Sequence, residues 1–268
     1  MLTLREIHFL QNNLKNVILT NIKIKRLETM KNLLKTSLFL LMISLNSCII
    51  KIDNDPLPLS AYYEVRQNFN LSNFDNIKTG SAFKINVIQG NYYKVTAIGD
   101  ETDIDDLDLY VRNGTLYGNY RNDARNQHYT MTINITVPSL SSVQFSGATT
   151  ADVSGFYANT FDVILSGASK LFLDIDVTKL YMDISGASQF TPSGDAQKIS
   201  GEISGASLLN TLNFPSDEMD IKVSGASNAR VDVYKYLKVS ASGGSRVRYR
   251  GNPTTTISTS GASTVERD

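Results

Sequence analysis

The chain has 268 residues, 41% of them hydrophobic, with 26 basic and 26 acidic side chains. Residues 1–47 hold seven Lys or Arg and two acids, which leaves 19 bases, 24 acids and a net charge of −5 for the remainder. An acidic body gives no electrostatic footing for nucleic acid. A single cysteine, Cys48, excludes an intramolecular disulfide and a cysteine-built metal cluster.

Residues 30–48 start with Met30-Lys31, pass through an apolar stretch of about ten residues and close on Asn46-Ser47-Cys48, the order of a secretory signal. The apolar run is too short to cross a bilayer, which takes about 20 residues. Leu45-Asn46-Ser47-Cys48 resembles the bacterial lipoprotein signal box, in which the cysteine is acylated and becomes the N-terminus; Asn46 departs from the small or aliphatic residue usual there. Residues 1–29 do not fit ahead of such a signal. Initiation at Met30 rather than Met1 is therefore expected, with 1–29 a mis-called extension and 30–47 the signal peptide. Residues 48–61, with Pro56 and Pro58 and no usable alternation, read as a tether. The expected location is the cell envelope, as an outer-membrane lipoprotein on the periplasmic side or at the cell surface, held in the membrane through Cys48.

Residues 62–143 read as strands of less regular spacing. Val65–Phe69, Phe83–Val87 and Met131–Val137 alternate apolar and polar. Asn113-Gly114 between two such runs predicts a tight hairpin. Asp100–Asp108 carries six acids in nine residues but lacks the glycine of a calcium loop, so a solvated loop is expected. Gly80-Ser81-Ala82 reads as a diverged early copy of the repeat that follows.

That repeat dominates residues 144–268. Ser146-Gly147-Ala148-Thr149 returns at 166, 185, 204, 224, 242 and 260, in steps of 20, 19, 19, 20, 18 and 18 residues. The sixth copy is degraded to Ser242-Gly243-Gly244-Ser245. Apolar residues alternate on both sides of each copy, as in Phe161, Val163, Leu165 and then Leu171, Leu173, Ile175. Period two excludes a helical repeat, and the unit is too short for a propeller blade of about 40 residues. The fold class is therefore all-β: a parallel β-helix or β-solenoid with coils of about 18–20 residues. Seven coils stacked about 4.8 Å apart would span roughly 30 Å. Gly147, Gly167, Gly186, Gly205, Gly225, Gly243 and Gly261 are expected to form a structural corner ladder, glycine permitting a sharp corner or positive φ. The alanine is expected to fill a narrow interior, and the serines to hydrogen-bond along the stack. The last residues, Thr264–Asp268, would leave a coil end that charge protects or a homo-oligomer buries.

Catalytic chemistry finds little support. His128 is the one histidine after the signal and reads as a surface-loop residue, with no zinc site or histidine-based triad. No cofactor is implied. β-Helices that act on polysaccharides need acids clustered at fixed separations; Asp162, Asp174, Asp176, Asp183, Glu202, Asp220 and Asp232 sit at shifting offsets from the repeat. The main reading is a non-enzymatic envelope lipoprotein that presents a binding or adhesion module, with a carbohydrate-active β-helix enzyme as the alternative. Tyr62, Tyr63, Tyr92, Tyr93, Tyr117, Tyr120, Tyr181, Tyr234 and Tyr236 are candidate contacts for a glycan or protein surface ligand, about half of them expected in packing instead.

The lipoprotein-like start, the strand segment and the Ser-Gly-Ala-Ser ladder, led by strands such as Asp162-Val163-Ile164-Leu165, together resemble the putative auto-transporter adhesin head GIN domain family over about residues 70–265. Phe74-Asp75-Asn76-Ile77 followed by Phe83–Val87 and Gln89-Gly90 is similar to that family's opening; in place of a literal Gly-Ile-Asn the chain has Lys84-Ile85-Asn86. The resemblance implies a right-handed parallel β-helix fold and an adhesin role, and supplies no catalytic residues.

Overall fold

The computed structural model describes residues 62–122 and 128–268; the signal, the tether and Cys48 lie outside them. In chain order the strands are β1 (Glu64–Phe69), β2 (Asn76–Thr79), β3 (Lys84–Gln89), β4 (Lys94–Asp100), β5 (Leu107–Arg112), β6 (Thr115–Tyr120), β7 (Thr132–Val137) and β8 (Ser142–Phe145). They continue as β9 (Thr150–Leu165), β10 (Lys170–Ile184), β11 (Gln189–Ile203), β12 (Leu208–Asn210), β13 (Ser216–Val223), β14 (Asn228–Ala241), β15 (Arg246–Arg250), β16 (Thr254–Thr259) and β17 (Thr264–Arg267). One short helix, α1 (Glu101–Asp106), separates β4 from β5.

From β8 onward every strand pairs in parallel with its counterpart one coil away, giving a β-solenoid of about seven turns. Stacking in register turns the alternation of one coil into columns that run along the axis. Phe161, Leu180, Ile199, Met219 and Leu237 form one buried column, and Leu165, Ile184, Ile203, Val223 and Ala241 another. Each large apolar side chain buried this way stabilises by about 1.5–3 kcal/mol relative to exposure. At the final coil the equivalent positions, Thr255, Ile257 and Thr259, are exposed because no rung covers them.

The tetrapeptide is the corner between the two sides of each coil. Its glycine has φ of +69° to +76° in all seven copies, and the third residue is not in the positive-φ region. That sign pattern is a type II′ turn, whose first central position demands glycine. The amide of the third residue donates to the glycine carbonyl of the coil below: Ala168 to Gly147 (2.6 Å), Ala187 to Gly167 (2.7 Å), Ala206 to Gly186 (2.7 Å), Ala226 to Gly205 (2.7 Å), Gly244 to Gly225 (2.9 Å) and Ala262 to Gly243 (2.8 Å). The diverged copy supplies one more rung. Ser81 stands at the glycine position with φ +71° and accepts from the Ala148 amide at 3.3 Å.

Two details depart from the sequence reading. The alanines do not fill the interior: Ala148, Ala168, Ala187, Ala206 and Ala226 are exposed, because a turn projects its central residues away from the coil. The buried member is the fourth residue, Thr149, Ser169, Ser188, Ser207, Ser227 or Ser245. A hydroxyl is tolerated there because the turn offers acceptors. Ser169 Oγ donates to Ser166 O at 2.9 Å, and Thr149 Oγ1 to Ser146 O and Ser81 O, both at 2.9 Å.

Step length varies only away from this corner. β9 is one residue longer than β10; the pairing slips between Val153↔Leu173 and Phe156↔Ile175, and Gly155 takes φ +84° there. A second slip falls between Ser216↔Val233 and Glu218↔Tyr236. Both are β-bulges on the far side of the coil, so the Gly ladder keeps its register.

The strands of residues 62–143 interleave with the repeat array. β2 lies between β6 and β8, and β3 between β7 and β9, all parallel, so the earliest rung is inserted between two later ones. Antiparallel strands close this end: β4 on β7, β1 on β4 and β5 on β6. Asn113 (φ +51°) and Gly114 (φ +73°) form the expected β5–β6 hairpin turn.

The acidic run is not a solvated loop. Asp100 caps α1, accepting from the Thr102 amide at 3.1 Å, and also accepts from the Tyr63 amide at 3.0 Å. Asp103 is fully buried; its Oδ2 accepts from the Tyr129 amide at 2.7 Å and its Oδ1 lies 3.1 Å from His128 Nδ1. His128 is no surface-loop residue either, since its ring stacks on Tyr120 with centroids 3.6 Å apart. Spacing explains the split: Asp100 and Asp103, three apart, face inward, while Glu101 and Asp105 face solvent.

Two outcomes are expected. A Cβ at Gly186 would overlap the Gly167 carbonyl oxygen. Positive φ costs a side-chain-bearing residue about 1–2 kcal/mol and overpacking about 1–3 kcal/mol, so Gly186→Val should lower Tm by roughly 5–15 °C; an unchanged melting curve would reject the corner assignment. Asp103→Ala removes the buried carboxylate that accepts from the Tyr129 amide and meets His128, and should cost about 3 kcal/mol, read as a shift of the urea midpoint.

Candidate functional site

The interior is packed with apolar columns, so polar chemistry is carried by the outward columns. Several charges there are paired with one another. Lys198 meets Glu218 at 3.5 Å, Lys222 meets Glu202 at 2.7 Å and Lys238 meets Asp220 at 2.9 Å, each pair in register on adjacent rungs. The hydrogen bond it donates to Glu202 holds the Lys222 ammonium above its ordinary pKa.

Three shallow grooves lie among these columns. The largest, about 480 Å³, sits on the far side of the coil around Tyr157, Asp176 and Asp195, which occupy successive rungs in register. Asn159, Thr178 and Gln197 also line it. Tyr157 is 75% exposed, the most exposed large hydrophobic among the described residues. Asp176 Oδ1 accepts from the Asp195 backbone amide at 3.2 Å, and strand register sets the two residues side by side. No Lys or Arg lines this groove, so it offers acceptors, amides and an aromatic face to a ligand.

The second groove, about 270 Å³, runs beside the first serines of the repeat, Ser204, Ser224, Ser242 and Ser260, and is closed by the Glu202–Lys222 pair. The third, about 200 Å³, holds Tyr236 between the Lys198–Glu218 and Lys238–Asp220 pairs.

The acids singled out in the sequence do not converge. Asp176, Glu202 and Asp220 fall in three different grooves. Asp162 and Asp183 stand exposed on the strand face, Asp174 accepts from Ser193 Oγ at 3.4 Å, and Asp232 is half-buried. Among the described residues no group of three or more His, Cys, Asp or Glu is placed to hold a metal ion. Of the nine tyrosines, Tyr62, Tyr63, Tyr92, Tyr181, Tyr234 and Tyr236 are exposed. Tyr93 packs on Phe74, Tyr117 stacks on Tyr110 and Tyr120 packs on Phe83 and His128.

Tyr157 was missed in the sequence for a physical reason. Alternation from Ala151 and Val153 points positions 155 and 157 inward. The bulge at Gly155 shifts the phase, burying Phe156 and turning Tyr157 out. The positional signal was the first step of 20 residues, one longer than the next.

Fold and grooves together define a β-solenoid that offers open outward surfaces. The chain belongs to the family described as putative auto-transporter adhesin, head GIN domain, whose model matches residues 73–253. Among solved structures it is similar to a putative adhesin of Bacteroides fragilis, with TM-score 0.71 and 18% identity over 77% of this chain and 97% of that one. A putative adhesin of Parabacteroides distasonis gives 0.66 and 16%, over 78% and 98%. A putative lipid binding protein of the same species gives 0.64 and 15%, over 76% and 96%. At these identities the likeness shows the fold. No curated protein matches the sequence. No helix among the described residues is long and apolar enough to cross a membrane.

Proposed function

We propose that this chain is the binding head of an envelope-anchored adhesin and that its Tyr157 groove holds a neutral glycan. The observation that carries this reading is the exposed Tyr157 ring set beside Asp176 and Asp195 on successive rungs. The faces of sugar rings are lined with C–H groups that pack on an aromatic ring, while their hydroxyls donate to carboxylates and exchange hydrogen bonds with amides such as Asn159 and Gln197. Two uncompensated carboxylates would repel an acidic sugar. The family's adhesin description and the exposed rims of the solenoid agree with this role. The lipid on Cys48 would tether the head to the membrane, with residues 48–61 as the spacer.

A glycan array probed with the full-length chain should show retention of neutral oligosaccharides. Tyr157→Ala should weaken that binding at least tenfold with Tm unchanged, since the side chain is mostly exposed; equal binding by the variant rejects the groove. In cells fed labelled palmitate, the wild-type chain should take up label and Cys48→Ala should not, and uptake by the variant would overturn the anchor.

A further inference from the structure

Arginine is distributed unevenly along the chain. Of the nine arginines in residues 62–268, five lie between Arg230 and Arg267. β15 reads Arg246-Val247-Arg248-Tyr249-Arg250; Val247 is buried, Tyr249 is half-buried, and the three arginines point outward and are exposed. Register places Arg230 of β14 directly beside Arg248, and beyond Arg248 lies Glu266. Arg246 has the uncharged neighbours Asn228 and Thr264.

The Arg230–Arg248 pair breaks the pattern on the other side of the coil, where Lys198, Lys222 and Lys238 each face an acid in register. Like charges directly opposite on paired strands are destabilising, so the Arg230–Arg248 pair is not there for the fold. Acids are interleaved with these arginines: Asp232 lies in register with Arg250 and Glu266 with Arg248. Asp268 Oδ2 accepts from Arg230 Nη2 at 2.8 Å and lies 3.7 Å from Arg250 Nε. The Arg230 hydrogen bond, with Arg248 and Arg250 beside it, holds the Asp268 carboxyl below the ordinary range. Arg230 Nε is covered and has no acceptor among the described residues.

We propose that Arg230, Arg246, Arg248 and Arg250 form a binding surface for an acidic polysaccharide, a chain bearing carboxylate or sulfate groups. Guanidinium forks match both oxyanions in two-point contacts, which lysine cannot make. Alternate residues of a strand are about 6.7 Å apart and adjacent rungs about 4.8 Å apart. Arg246 to Arg250 therefore spans about 13 Å, a length suited to successive charges on a polymer rather than to one small ion. A bridging anion would also relieve the repulsion between Arg230 and Arg248. The surface is separate from the Tyr157 groove and uses ligands of opposite character, so either reading stands or falls alone.

The test passes the full-length chain over immobilised polygalacturonate, dextran sulfate and neutral dextran at about 50 and 150 mM salt. Retention on the two acidic polymers, weakened by salt, and none on neutral dextran is expected. Arg246→Ala with Arg248→Ala should reduce affinity for the acidic polymers at least tenfold and flatten the salt dependence. The Tm should hold or rise, which separates lost contacts from lost fold. The Lys double variant at the same positions should retain charge-driven binding but lose part of the affinity. Undiminished binding by the Ala variant, equal retention on neutral dextran, or tighter binding to single-stranded DNA than to either acidic polymer would overturn the proposal.

Discussion

At its corner, each coil is pinned to the next by a backbone hydrogen bond from the third residue of the tetrapeptide to the glycine carbonyl below. The bond requires that the glycine keep positive φ and that nothing project from its Cα toward the lower coil. Both conditions exclude a side chain at positions such as Gly186. In a stack, a distortion at one corner is passed to the corner above it, which is why the same four residues recur so faithfully. The rung at Ser81 shows the limit: a side chain is present where the array begins, and the glycines start one rung later.

With one corner held, the rest of the coil is free to vary. Extra residues are taken up as bulges on the far side, next to Gly155 and between Ser216 and Glu218. Such a bulge sets Tyr157 outward into its groove. Constraint and variation thus occupy opposite ends of each coil. The conserved geometry of the corner acts as scaffold, and the face that can differ between coils carries the candidate site. Bulges commonly re-aim side chains in this way.

Charge follows the same division. Where lysines and acids alternate from rung to rung, they neutralise each other and suit a solvated wall. These exposed pairs lend the fold little, but they keep like charges from stacking. The Arg230–Arg248 pair departs from that order, and Asp100 and Asp103 depart from it at the opposite end by going inside to fasten α1, Tyr63 and the chain at His128–Tyr129.

The repeat was legible because a period of two within a period of about 19 can be satisfied only by strands that stack in parallel. From that, the sequence by itself determined the solenoid, the hairpin at Asn113-Gly114 and the place of each tetrapeptide. The family resemblance rested on the same residues and is shown by the match over 73–253. Tertiary structure decided which residues of the tetrapeptide face inward, because a turn's geometry, and not polarity, buries Ser169 and exposes Ala168. It also decided that β2 and β3 slot between later strands, since strand order in space is set by pairing and not by chain order. Both candidate surfaces arise there too. Tyr157 meets Asp176 and Asp195, and Arg230 meets Arg248, only once coils about 19 residues apart in sequence lie about 4.8 Å apart in space.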